Sequence, residues 1–236
     1  MTFTGEQVNT YSPTASRRFS IDATMFGLPV DVLHVLTDGR ATMRAAVCST
    51  LPVARGAGPE MDRAETVTLF NDLCIMAPAA LVDAPVEWEP IDARRVRGTY
   101  TNGKHTVSAE LLFDEDGDLV DFVSDDRFAA DPGGKSFTRR RWSTPVGDYQ
   151  MRHGRRLASV GSAVWHAPAP DGTFAYLELT LADVVAELGL PEGVLEDRQV
   201  GHAAKATAAI DGMPVDEETP GLLRNRTAGE LSTTSR

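Results

Sequence analysis

Hydrophobic and polar positions alternate along most of this chain. "LPVDVLHVL" (28–36) places Leu28, Val30, Val32 and Leu36 on one alternating face together with His34, "TDGR" follows, and "ATMRAAVCS" (41–49) returns. Period two marks a half-buried strand, and Asp-Gly supplies the positive φ of a tight hairpin. The same signal predicts strands over 86–92 and 94–101, a hairpin at Asn102-Gly103, and a returning strand over 104–113. In that returning strand Val107, Ala109, Leu111 and Phe113 share one face, and Thr106, Ser108 and Glu110 share the other. "DEDGD" (114–118) turns the chain into a strand over 119–128, and the Gly-rich "DPGGKS" precedes strands over 137–152, 155–167 and 173–185. The pattern predicts a meander of roughly eight to ten antiparallel strands joined by short turns.

One stretch breaks the alternation. "GPEMDRAETVTLFNDLCIMAP" (58–78) has helical period, with Val67, Phe70 and Cys74 at i, i+3 and i+7 and Leu69, Leu73 and Met76 beside them. Asp62 followed by Glu65 reads as a capping-box start, and Pro78 ends the run because it lacks an amide hydrogen. A meander needs a cover for its apolar face, and this is the one strong helix. The expected fold is therefore α+β, mostly β: a curved antiparallel sheet with one principal helix on its concave face. On that reading Cys74 belongs to the core and is not a nucleophile.

Composition narrows the function classes. The 236 residues carry a net charge of −11, 42% hydrophobic and 24% charged residues. Such a surface repels nucleic acid at long range, although "RRRW" (139–142) is locally basic. Two cysteines, Cys48 and Cys74, fit no zinc or C-x-x-C spacing, and two free buried thiols are the expectation, with one disulfide the alternative. No run reaches the length of a membrane span, and the first residues lack a signal peptide's apolar stretch. As written, the chain reads as cytoplasmic, and a longer natural N-terminus would make it membrane-associated or exported. The segment after about 187 has few aromatics, scattered Pro and Gly and weak periodicity. We expect a single β-rich domain over 1–186 and a mostly disordered tail over 187–236, with one short helix near "GHAAKATAAI".

No catalytic motif stands out. "DEDGD" lacks the spacing of a calcium loop and reads as a hairpin turn with Gly117 at positive φ. The histidines His34, His105, His153, His166 and His202 form no H-x-H or H-x-x-x-H pair, so neither a metal nor a cofactor is expected. His105 and His34 fall on apolar faces, as core residues or as pocket acid/bases. Asp125 and Asp126 in "VSDDRF" stand opposite Arg139 or Arg141 if the strands 119–128 and 137–152 pair. That is either a solvent-face ion-pair cluster or a polar site with an Arg fork and a carboxylate base.

"DATMFGLPVDVLHV" (22–35), "GPEMDRAETVTLFNDLCIMAPAALVDAPVEWEPID" (58–92), "TNGKHTVSAELLFDEDGDLVDFVSDDR" (101–127) and "RRWSTPVGDYQ" (140–150) resemble an uncharacterised bacterial domain-of-unknown-function family. The likeness runs from about Thr4 to Asp183. It implies a single sheet with a covering helix, similar in pattern to the lipoprotein-carrier group, and it implies no catalytic residue. Relatives carry further residues before the "FT-EQ" stretch, which puts missing N-terminal strands and an exposed sheet edge in question. If helix and sheet leave a cleft, Met25, Phe26, Phe70, Cys74, Trp88 and Trp142 are its candidate linings. The leading expectation is a non-enzymatic binding protein for an apolar small molecule or lipid, with no nucleic-acid partner and an open oligomeric state. Two alternatives stand beside it. One is a hydrolase-like enzyme using Asp125 or Asp126 with Arg141 and His105; the other is an interaction module pairing through a sheet edge.

Overall fold

The structure, a computed structural model, describes residues 2–11, 14–130, 136–170, 172–185 and the backbone of 202–210. Its strands are β1 (Thr2–Thr10), β2 (Ser16–Met25), β3 (Leu28–Thr37), β4 (Arg40–Val47), β5 (Leu51–Ala57), β6 (Val86–Pro90), β7 (Arg95–Asn102), β8 (His105–Phe113), β9 (Leu119–Ala130), β10 (Phe137–Ser143), β11 (Val146–Arg152), β12 (Arg155–His166), β13 (Thr173–Val185) and β14 (His202–Ile210). One principal helix, α1 (Pro59–Met76), joins β5 to the second half, followed by a short 3₁₀ turn at Pro78–Val82. Every pairing is antiparallel, in the order β5-β4-β3-β2-β1-β14-β13-β12-β10-β9-β8-β7-β6, with β11 alongside β12. β14 thus bridges a five-stranded half (β5 to β1) and an eight-stranded half (β13 to β6, with β11), and among the described residues β5 and β6 stand at the ends of the order.

The mostly-β fold with one covering helix is the expected one, and the hairpins explain why. Asp38 and Gly39 both take positive φ between β3 and β4, as a tight turn demands, and Gly117 does so before β9. Asn102-Gly103 works differently from its motif. Asn102 is the last strand residue, paired with His105, and Gly103 (φ 60) opens a Gly103-Lys104 turn. "DEDGD" is a self-bonded turn: Asp114 Oδ1 accepts from the amides of Asp116 (3.0 Å) and Asp118 (2.9 Å).

Four strands were hidden. β1 and β2 carry polar or charged residues on their inward face, so their alternation is broken in the sequence, and β5 buries two successive residues, Val53 and Ala54, opposite an irregularity in β4. β14 occupies the stretch expected as a short helix, and the rest of the expected disordered tail lies outside the described residues. β1 is interior, hydrogen-bonded on both sides, so the exposed edge in question does not fall there; among the described residues the order ends at β5 and β6. The expected strand over 137–152 is two strands, broken at Thr144-Pro145, where proline removes a ladder donor.

Helix α1 departs from expectation in one respect that matters for function. It starts at Pro59 after Gly58, which caps it without a side chain, so Asp62 and Glu65 lie inside the helix and are no capping box. Every residue from Met61 to Cys74 except Arg63 is buried. One side, with Val67, Phe70, Leu73 and Cys74, packs into the main core. There Phe70 stacks on Tyr100 (5.2 Å between centroids) and meets Phe122 edge-on (5.3 Å). Gly98 makes room for this cluster: a Cβ there would stand 2.7 Å from both Phe70 Cζ and Trp88 Cζ3. The other side carries Asp62, Glu65, Thr68 and Asp72, spaced to form one stripe, and that stripe is also buried.

Candidate functional site: a two-sided cavity with a charged pole

Buried carboxylates on a helix need partners, because stripping water from an unpaired charge costs several kcal/mol. β1 and β2 supply them. Gln7 and Asn9 alternate onto the inner face of β1, and Arg17 and Phe19 onto that of β2. Arg17 donates through Nε to Asp72 Oδ2 (2.7 Å), through Nη1 to Glu65 Oε2 (2.9 Å) and through Nη2 to Gln7 Oε1 (3.1 Å). Gln7 and Asn9 donate their amide hydrogens to the same Asp72 oxygen, at 2.7 and 3.3 Å. His34 Nδ1 lies 3.3 Å from Glu65 Oε1. Farther along the stripe, Asp62 Oδ1 accepts from the Ala41 amide (2.7 Å) and ties the helix to β4.

The two carboxyls respond oppositely. Burial pushes Glu65 upward, but Arg17 and then His34 overcome it and hold the group well below the usual carboxylate range. Asp72 is pushed up, chiefly by burial and against the pull of Arg17. Arg17 keeps its proton more firmly than an exposed arginine: burial works against the charge, and Asp72 and Glu65 outweigh it.

Beside this cluster lies a cavity of about 470 Å³ between α1 and the two half-sheets. Strand register builds its walls. In the first half Gln7, Phe19, His34 and Met43 form a cross-strand row over β1 to β4. In the second half Trp142, Trp165 and Phe174 form another row over β10, β12 and β13. Ala129, Ala158, Gly161 and Ala163 leave the space that larger side chains would fill. Val160 and Phe174 line the cavity yet are 40% and 41% exposed, which marks where it meets solvent.

Arg127 of β9 reaches the seam between helix and second half-sheet. Its guanidinium lies 4.6 Å from the Trp142 ring and 5.8 Å from that of Trp165. Nη1 donates to the Ala64 carbonyl (3.0 Å) and closely to Thr68 Oγ1.

Of the residues expected to line a cleft, Trp142 does so. Phe70 and Cys74 fill the main core, with Cys74's thiol pushed up by burial. Trp88 is half-exposed on β6 against Phe70, Met25 packs at the rim of the first half-sheet's core, and Phe26 projects into solvent at a turn. Of the two thiols expected to be buried, Cys48 is exposed, and both are free. Asp125, Asp126, Arg141 and His105 do not converge. Asp126 is buried and accepts from Arg63 (2.6 Å), Arg139 (2.6 Å) and the Ser108 amide (2.8 Å). Asp125, its neighbour on the opposite face, meets Arg141 in water at 3.5 Å, and His105 faces Asp62 at 3.8 Å. None of the four lines the cavity, so the hydrolase arrangement has no shared site to act in. Sequence reasoning missed Arg17, Glu65, Asp72 and Arg127, whose available signal was carboxylates spaced along one helix face with an arginine on an inward strand position. Among the described residues, no three or more His, Cys, Asp or Glu side chains are grouped to hold a metal ion.

The family model for a family of unknown function, DUF6544, matches residues 1–179. The chain belongs to that family. Every residue named above in the charged pole lies within the DUF6544 match, and so do the cavity linings save Leu181. No curated protein and no solved structure gave a match. No helix among the described residues is long and apolar enough to cross a membrane.

Proposed function

We propose that this DUF6544 member is a non-enzymatic binding protein that holds an apolar small molecule or acyl chain between α1 and the sheet. The observation that carries this reading is the cavity itself. Its volume falls within the range of about 300–1,000 Å³ for small-molecule sites, and its walls are largely aromatic and aliphatic, with a hydrogen-bonded polar cluster where α1 meets β1 and β2. Protein interiors close such spaces when nothing is meant to enter, because each void forfeits packing energy. The rim at Val160 and Phe174 offers a route in.

Native mass spectrometry of freshly purified protein, with displacement of an environment-sensitive apolar fluorophore, tests the reading. The expected result is a co-purified adduct or saturable uptake of the fluorophore. Ala129→Phe, which fills the cavity, reduces uptake at least tenfold, and Phe26→Ser, at an exposed turn, leaves it unchanged. A clean apo-protein that takes up no fluorophore overturns the reading.

A further inference from the structure

Three arginines line the cavity, Arg17, Arg127 and Arg140, and the first two stand in contrasting states. Arg17 is matched: its three donor nitrogens meet Asp72, Glu65 and Gln7. Arg127 has no carboxylate within ion-pair distance among the described residues. Its hydrogen bonds all leave from Nη1, toward the helix. Nε is buried with no acceptor, and Nη2 has none among the described residues. Nε and Nη2 form one edge of the guanidinium, with two parallel N–H bonds, the edge that grips a carboxylate in two-point fashion. The ring of Trp142 covers the guanidinium at 4.6 Å, which fixes its plane and restrains it from swinging out to solvent. A buried Nε–H without an acceptor costs stability, and an incoming acceptor that reaches it recovers that cost.

Resting on the binding-protein reading above, we propose that the ligand is a long-chain carboxylic acid, its carboxylate held by the Nε–Nη2 edge of Arg127 and its chain lying along Trp165, Tyr176 and Leu179. The head is a monoanion because the pole already contains two carboxylates, Glu65 and Asp72, and a more highly charged group would meet them at close range. A planar two-oxygen head also matches a planar two-donor edge better than a tetrahedral one. Arg127 is thereby the specificity residue of the site, and the apolar wall sets affinity without selecting a head group.

The test compares one chain length with four heads on the full-length protein: palmitic acid, its methyl ester, the alcohol, and the alkyl phosphate, each displacing the apolar fluorophore at pH 7.5. The acid is expected to bind at least tenfold more tightly than the other three. In Arg127→Gln the acid falls to the level of the ester, while ester and alcohol keep their affinity. Arg127→Lys restores part of the preference, since charge remains and the two-point geometry is lost. Near-UV circular dichroism checks that each variant is folded, and the head-group series in the unaltered protein stands without any variant. Equal binding of acid, ester and alcohol overturns the carboxylate assignment and leaves the apolar-ligand reading intact. Tighter binding of the phosphate overturns it in favour of a phosphate head. Binding of none of the four overturns the reading beneath it.

Discussion

Arg17 sets one positive charge between two buried carboxylates, Glu65 and Asp72. Breaking a buried pair by removing one partner leaves uncompensated charge, at a cost of about 3–5 kcal/mol. Arg17→Met is expected to lose about that much in urea unfolding. Because Glu65 lies below its unfolded value, its contribution is present above about pH 4.3 and is lost as pH falls through the folded value. Asp121 behaves in the opposite sense. Burial raises it to about 6, with Oδ1 enclosed and unbonded. The unfolded chain releases that proton near pH 4, so stability falls as pH rises between about 4 and 6. Asp121→Asn should therefore stabilise the protein at pH 7 by about 1 kcal/mol and leave pH 3.5 unchanged, read from urea midpoints at both values. At the same scale, a mild alkylating reagent is expected to label one thiol per native chain, Cys48, and two after denaturation.

At the scale of elements, α1 is the piece that joins everything. Its apolar side meets β6, β7 and β9 through Phe70, and its polar side meets β1 to β4 through Asp62, Glu65 and Asp72. The close approach of Gly98 to Phe70 and Trp88 leaves no space for a methyl group. Gly98→Ala should lower stability by about 1–3 kcal/mol in thermal or urea unfolding, through overpacking rather than backbone strain. How legible α1 was depends on which side is asked about. Val67, Phe70 and Cys74 announced a core face by their spacing, and that face is where they lie. Asp62 and Glu65 read as a capping box instead, and polar residues carry no mark that separates a helix cap or water from a buried partner as their destination. The hairpins from β3 to β4 and from β6 through β9 were legible because an Asp-Gly, an Asn-Gly or an alternating run is a local signal. β1 and β2 were not, because Gln7, Asn9 and Arg17 occupy inward positions that alternation reserves for apolar side chains.

Across the whole molecule, the two half-sheets close on the helix from both sides and leave a cavity where Trp142, Trp165 and Phe174 face Phe19 and Met43. The cavity's linings come from nine strands and the helix, so its residues are dispersed along the chain. Occupancy by an apolar ligand should raise the thermal midpoint, since a ligand that binds only the folded state stabilises it by about 2.7 kcal/mol at a hundredfold excess over Kd. Differential scanning fluorimetry with and without palmitic acid reads that shift, and Ala129→Phe should abolish it.

The alternating pattern, the turn residues and the helical period of 58–78 determined by themselves that this chain folds as an antiparallel sheet with one covering helix, because those signals act between residues a few positions apart. Which way the polar stripe of α1 points, which arginine is matched and which is not, and where a void remains were decided only in three dimensions. Those properties depend on the register between strands far apart in sequence and on the spacing between layers, and a charge buried against a partner 55 residues away looks, in sequence, the same as a charge in water.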